Sequence, residues 1–385
     1  MPPYIDEFGN SLVEVALAAL DEKFEKWKKE LSPQKYQLRI SQHPRNIAEA
    51  FAAREVSRFP MHLVKSQKKR IEDKEYAYEF VDLELGADGK IIGTPTKKLP
   101  ITDFPINPNL EDKSGSVVVW ERPVNNPGFG LYYASVDPVG EGKTTTSESL
   151  CSIFIYKNPV EVKKVNGAES ETFIEREGIV ASWCGRFDDI NKTHERLEML
   201  IEWYNAWTIV ENNIPQFVTH MIKRHKQRFL VPKSQMLFLK ELNSNNQSYS
   251  EYGWRNTGTL FRGHLLSYAI EYLSEELDSE YKNDGTFLRK AYGIERIPDP
   301  MLLTEMEKYQ DDMNVDRLVA FSSLIAFVKI QQANRGYAKR TDVVDKKYLE
   351  NSPNLYKLNN SPFRHVGKRN NNMTYIYKKP FKNIK

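Results

Sequence analysis

Residues 131–156, LYYASVDPVGEGKTTTSESLCSIFIY, admit two incompatible readings, and Asp137 separates them. In one, GEGKTT closes a phosphate-cradling loop; in the other, Asp137 is a metal-binding carboxylate at a strand end. The pattern G-x-x-x-x-G-K-[ST] needs a glycine where the backbone turns its N–H groups toward phosphate. Here that position is Asp137, whose charge would oppose the phosphates. A phosphate loop must also open into a helix, whereas Thr144, Thr145 and Thr146 are β-branched and LCSIFIY (150–156) is a short apolar run of strand formers. The order is strand, loop, strand. A blander alternative is that Asp137-Pro138 only starts a turn.

Working outward, strands are expected at 131–136, 150–156 and 178–184, with a polar hairpin around Asn166-Gly167. THERLEMLIEWYNA places Leu197, Leu200, Ile201 and Tyr204 on one helical face and runs into WTIVENN, a strand ending in an acid. A helix is expected at 215–228, short strands at 229–232 and 236–240, and a long helix at 259–276. Asp299-Pro300 is a helix start, and VDRLVAFSSLIAFVKI (315–330) is a helix apolar on nearly every side, hence buried. Three strands followed by alternating helix and strand predict an α/β domain, a mixed sheet flanked by helices. Upstream, residues 11–31 carry a helical apolar stripe ended by Pro33, KSQKKRIEDK (65–74) reads as helix, FVDLELGADGKIIGTP as a hairpin and VVVW (117–120) as a strand. The organisation is an N-terminal helical and linker module at 1–125, a main domain at 126–335, and a tail at 336–385.

The chain has 385 residues, 28% charged and 40% hydrophobic, an ordinary soluble balance. No apolar stretch is long enough for a membrane span, and the first residues show neither a basic start nor an apolar core, so no membrane partner is expected. Two cysteines cannot supply a disulfide framework or a zinc site, which favours a reducing compartment. The net charge of +3 hides an uneven distribution: twelve Lys or Arg against three acids after residue 335 give the tail +9 and the rest −6. The tail is Asn- and Pro-rich, suited to polyanions or acidic partners, or else a solvated extension of weak order.

Three acids fall at element ends that such a sheet could bring together: Asp137 ends the first strand, Glu211 the strand after the first helix, and Asp316 lies in the first turn of the apolar final helix. If the first and fourth strands are parallel neighbours, Asp137 and Glu211 meet at the carboxyl edge where open α/β sheets bind ligands. Such carboxylates repel unless neutralised, and hard oxygen ligands suit Mg²⁺ or Mn²⁺. Glu211 could instead be a solvated strand end, and Asp316 could serve only the helix dipole. Asp312 is a further candidate ligand one turn earlier, or part of the preceding loop.

The segments YYASVDPVGEG, WYNAWTIVENN, EYGWRNTGT and VDRLVAF, in that order, resemble the nuclease domain of the large terminase subunit of tailed bacteriophages. HPRNIAEAF resembles the Glu-Ala-Phe segment that closes the ATPase domain of that family, and the likeness covers about residues 40–330. The resemblance implies a ribonuclease H-like fold and an endonuclease that cuts double-stranded viral DNA during genome packaging in the cytoplasm of an infected bacterium. It assigns the catalytic metal ligands to Asp137, Glu211 and Asp316, and implies an ATPase partner, a small terminase subunit and a portal protein. Many members carry paired acids where this chain has Val315-Asp316, and no complete phosphate-loop motif occurs, so the motor is not expected in this chain.

The expected chemistry is two-metal phosphodiester hydrolysis, with the ions about 4 Å apart. Lys223, Arg224, Lys226 and Arg228 in HMIKRHKQR, together with Lys143, could meet DNA phosphates, or the cluster could be a solvated helix end. His220 and His225 lie five apart, off the zinc spacing. Rival readings are a resolvase- or transposase-like nuclease cutting branched DNA, a catalytically inactive docking module of the packaging motor, and an ATPase dependent on Lys143.

Overall fold

The computed structural model describes the chain except residues 1–4, 7, 9, 32–35, 37–38, 41, 46–57, 108, 141–148, 167–168, 237–250, 258–259, 282–286, 311–312, 335–337, 344–365, 371 and 377–385. Most of HPRNIAEAF, and Lys143 and Asp312, lie outside the described residues.

Two helices, α1 (Val13–Glu30) and α2 (Met61–Glu72), precede the strands β1 (Glu79–Leu85), β2 (Ile91–Pro95) and β3 (Val117–Val119). Next come β4 (Tyr132–Asp137), β5 (Cys151–Lys157), the hairpin β6 (Val160–Asn166) and β7 (Glu169–Glu175), and β8 (Gly178–Gly185). Helix α3 (Ile190–Tyr204) leads into β9 (Trp207–Val210) and α4 (Gln216–Lys223). The remainder holds α5 (Leu266–Ser274), the hairpin β10 (Glu276–Tyr281) and β11 (Phe287–Tyr292), α6 (Pro300–Lys308), α7 (Asp316–Asn334), β12 (Ala338–Val343), and the hairpin β13 (Val366–Asn370) and β14 (Asn372–Ile376).

Seven strands form one mixed sheet in the order β2-β1-β3-β8-β5-β4-β9. Every pairing is antiparallel except β4 with β9. The three strands before residue 126 extend this same sheet, so its hydrogen bonding crosses the boundary placed at 125. The expected hairpin at Asp88-Gly89 is present, and Gly89 supplies the left-handed φ of +75° that its turn requires. The start of the tail is more ordered than its composition suggests: β12 pairs in parallel with β6.

The strand pattern has period 2 and divides the core into two layers. Along β4, β5 and β9, Tyr133, Phe154, Tyr156, Trp207 and Ile209 pack with Leu318, Phe321, Leu324 and Phe327 of α7. The alternate residues Ala134, Val136, Ile153, Ile155 and Val210 pack with Leu197, Leu200 and Ile201 of α3 and Phe217 of α4. Each large apolar side chain buried in this way contributes about 1.5–3 kcal/mol. Helix α7 packs against β4 and β5 and also against α5 and α6, so it is apolar on nearly all sides, as its sequence implied. Phe327 meets Tyr133 and Trp207 with ring centroids 5.2 and 5.7 Å apart.

Local chemistry sets the element ends. Asp189 caps α3 through Asn191 N–H at 2.9 Å, and Asn205 ends it in the left-handed region at φ 48°. Ala206 N–H then bonds Ile201 O at 2.9 Å, which delivers the chain directly into β9. Asp299 caps α6, accepting from Met301 and Leu302 N–H at 2.8 and 3.1 Å.

Three expected elements differ. The helix expected to reach 228 stops at Lys223, and the strand expected at 229–232 (FLVP) is instead a pair of isolated bridges between 3₁₀ turns at 227–229 and 233–235. All but the first residue of the strand expected at 236–240 lies outside the described residues. Pro232 has no N–H to give a ladder, and only isolated bridges form there, Thr208 with Leu230 and Pro232 with Tyr252. The long helix expected from 259 opens with a π turn at Phe261–Leu265 before α5 begins.

Candidate functional site

The single parallel pairing places the first two acids together. Val136 is registered with Val210, and Glu211 N–H donates to Val136 O at 2.9 Å, so Glu211 lies beside Asp137. Both share the parity of the residues facing α7: Asp137 follows Tyr133 and Ser135, and Glu211 follows Trp207 and Ile209. The helix on that face starts at Asp316. Asp137, Glu211 and Asp316 all line one cavity of about 350 Å³, with Gly140, Ser149, Leu150, Arg186 and Asn213 on its walls.

Each carboxylate is held by local donors. Asp316 Oδ2 accepts Leu150 N–H at 2.7 Å and the Asn314 amide at 3.4 Å. Glu211 accepts Asn213 Nδ2 at Oε1 (2.8 Å) and Asn256 Nδ2 at Oε2 (3.1 Å). Asn256 is carried by EYGWRN, which docks on the end of β9. Trp254 N–H donates to Val210 O at 2.9 Å, and Asn212 N–H donates to Trp254 O at 2.6 Å. This approach requires Gly253: its φ is +79°, and a Cβ there would stand 2.5 Å from Asn212 Cβ.

Electrostatics show that the cluster is uncomfortable when fully ionised. Burial, then the charges of Glu211, Asp316 and Glu305, push the Asp137 carboxyl well above the usual range. Burial raises Glu211 to about 7 against the opposing Asn256 bond. Burial likewise raises Asp316 to about 7, with Leu150 N–H and Arg317 opposing and Glu305 and Glu211 adding to the rise. Glu305 lies behind the site, bonded to Arg317 at 3.0 Å and to Leu318 N–H at 3.0 Å.

These shifts predict how stability depends on pH. Carboxyls titrate near 4 when unfolded, so groups raised to about 7 make the folded state bind more protons between those values. Stability from this source is full below about pH 4 and is lost as pH rises through 7. In EDTA, the melting temperature is expected to fall by several degrees between pH 5 and 8, and millimolar Mg²⁺ at pH 8 is expected to reverse the fall. A flat profile in differential scanning fluorimetry would contradict it.

The donor set is oxygen-rich and anionic, as Mg²⁺ or Mn²⁺ requires. Among the described residues, no three His, Cys, Asp or Glu side chains converge to hold one ion between them. Mg²⁺ takes one or two protein carboxylates and completes its shell with water, so pairs drawn from these three acids fit it without triple convergence.

The basic cluster lies apart from this cavity. It sits at the C-terminal end of α4, whereas the site adjoins the helix N-terminus, about 12 Å away along eight residues. Arg224 bonds Glu198 at 2.7 Å, Lys226 pairs with Glu202, and Arg228 stacks over Phe229 at 4.5 Å. His220 Nε2 meets Glu198 at 2.7 Å, and Lys223 is exposed. Two of these four cations, Arg224 and Lys226, are paired with acids of α3. Sequence reasoning missed Arg186, which is 4% exposed on the cavity wall and donates to Gly140 O at 3.1 Å, and it missed the role of Asn256.

No family model matches the chain, and no curated protein matches its sequence. What the cavity can do is read from its own chemistry.

Proposed function

We propose that the chain is a divalent-metal-dependent DNA endonuclease with a ribonuclease H-like arrangement, akin to the nuclease domain of phage large terminases. The observation that carries the reading is the gathering of Asp137, Glu211 and Asp316, from three distant segments, on one cavity at a sheet edge. A sheet that is antiparallel apart from one parallel strand pair, with helices on both faces, suits that arrangement.

In this reading the three carboxylates hold two Mg²⁺ or Mn²⁺ ions. When bound, such ions lower the pKa of the attacking water and stabilise charge on the phosphate and leaving oxygen. The chain itself contributes fixed geometry: the Leu150 N–H orients Asp316. Arg186, always protonated, offers a buried cation on the cavity wall for a non-bridging phosphate oxygen. Double-stranded viral DNA is the proposed substrate, with a terminase ATPase, a small terminase subunit and a portal protein as proposed partners. No helix among the described residues is long and apolar enough to cross a membrane.

The test is conversion of supercoiled plasmid by the full chain. Cleavage is expected with Mg²⁺ or Mn²⁺, none in EDTA, and at least tenfold slower cleavage for Arg186→Gln. The rival reading is an inactive docking module. That reading predicts no cutting with either ion together with tight binding to a motor component. Preference for four-way junctions over linear duplex would move the assignment to a resolvase-like nuclease.

A further inference from the structure

EYGWRN is a segment whose chemistry the nuclease reading leaves unassigned, and its placement gives it a task. It is fixed to β9 by backbone bonds on both sides of Trp254, a fully buried residue, and by a glycine that no other residue replaces without strain. This rigid strap ends in Asn256. The Asn256 side chain donates to Glu211 Oε2 at 3.1 Å, and its backbone N–H donates to Asn213 Oδ1 at 3.0 Å. Asn213 Nδ2 in turn donates to Glu211 Oε1 at 2.8 Å and to Asn256 O at 3.1 Å. The two asparagines therefore hold each other and grip one oxygen apiece of the same carboxylate.

We infer that Asn256 is a positioning residue: with Asn213 it forms an amide clamp that fixes the Glu211 carboxylate plane for a divalent cation. The inference rests on the metal-dependent reading of the site. Glutamate has three side-chain torsions, so an unguided Glu211 would lose rotamer freedom on taking up an ion. The clamp removes that cost beforehand. Neutral amides suit the task because each binds one oxygen and adds no cation to compete with the metal; a lysine or arginine would neutralise the ligand. Groups that orient a metal ligand from behind typically change affinity by about 10- to 100-fold when removed.

Mn²⁺ binding to the full chain, followed by isothermal titration calorimetry, tests this apart from cleavage. Asn256→Ala is expected to weaken Mn²⁺ binding about tenfold or more with the melting temperature in EDTA nearly unchanged. In a Glu211→Gln background the same substitution is expected to change affinity less than about twofold, because its target is gone. Equal weakening in both backgrounds, or no weakening in either, overturns the clamp. If Asn256→Ala lowers the melting temperature, Asn256→Gln, which keeps an amide donor, decides: recovery toward wild-type affinity supports the clamp and no recovery overturns it. Wild-type protein that binds no Mn²⁺ would sink the metal-dependent reading and the clamp with it, whereas tight wild-type binding that Asn256→Ala leaves intact sinks the clamp alone.

Discussion

Asp137→Asn is expected to reduce Mg²⁺-dependent plasmid cleavage at least about 1,000-fold, about 4 kcal/mol of lost transition-state stabilisation, while leaving the protein folded and more heat-stable in EDTA. The opposite signs follow from one cause. Asp137 sits beside Glu211 and faces the start of α7 at Asp316, and burial with these neighbours raises its carboxyl far above the ordinary range. Without a cation, its charge is a cost to the fold. An amide of the same shape relieves that repulsion and keeps the β4 pairing of Asp137 with Ser152. In the proposed metal-bound state the same charge would hold the cation, and an amide would hold it poorly. Activity and stability thus trade off at this position. Parallel plasmid assays and thermal melts read both. A variant that lost cleavage and also melted lower would mean that Asp137 is structural.

Lys157→Met is expected to destabilise the chain by about 3–5 kcal/mol, the range for breaking a buried ion pair on one side. Lys157 ends β5 and is 1% exposed, with Nζ 2.5 Å from Glu121 Oε1 and 2.9 Å from Glu175 Oε2. Burial alone would lower its pKa, but Glu121 and Glu175 more than offset this and leave it raised. Glu121 follows β3 and Glu175 ends β7, so one ammonium ties the sheet to the β6–β7 hairpin. Methionine fills the volume but removes the ammonium that both acids share. Denaturant unfolding monitored by tryptophan fluorescence measures the loss. Adding Glu175→Gln to Lys157→Met should recover part of it, since one of the two buried carboxylates that faced the ammonium then loses its charge. A single substitution costing under 1 kcal/mol would show that water already reaches the triad.

The acids were legible in the sequence because each sits at the end of an apolar run: SVD and TIVE close their strands, and VDR opens the apolar final helix. Strand parity then carries Asp137 and Glu211 to the α7 side, which periodicity alone could not announce, since it depends on which helix covers which face. Arg186 was not legible. It follows Gly185 at the end of β8 like any charged residue after a strand, and only the fold shows it buried on the cavity wall. Asn256 was visible within EYGWRNTGT but had no assigned partner, because its contact with Glu211 spans a long stretch of chain and depends on the left-handed Gly253. The misread segment at 229–232 had the apolar content of a strand and touches β9 at Thr208, but Pro232 has no N–H to carry the ladder on, and only isolated bridges form.

The site is built from the end of β4, the end of β9 and the first residue of α7, and no continuous segment of the chain carries more than one of its acids. Such a centre has no partial form. During synthesis Asp137 and Glu211 emerge well before Asp316, and they meet it only once α7 has docked across the finished sheet. Under the proposed nuclease reading this ordering would be a safeguard: nascent and half-unfolded chains would carry the parts of the cutter without the cutter itself.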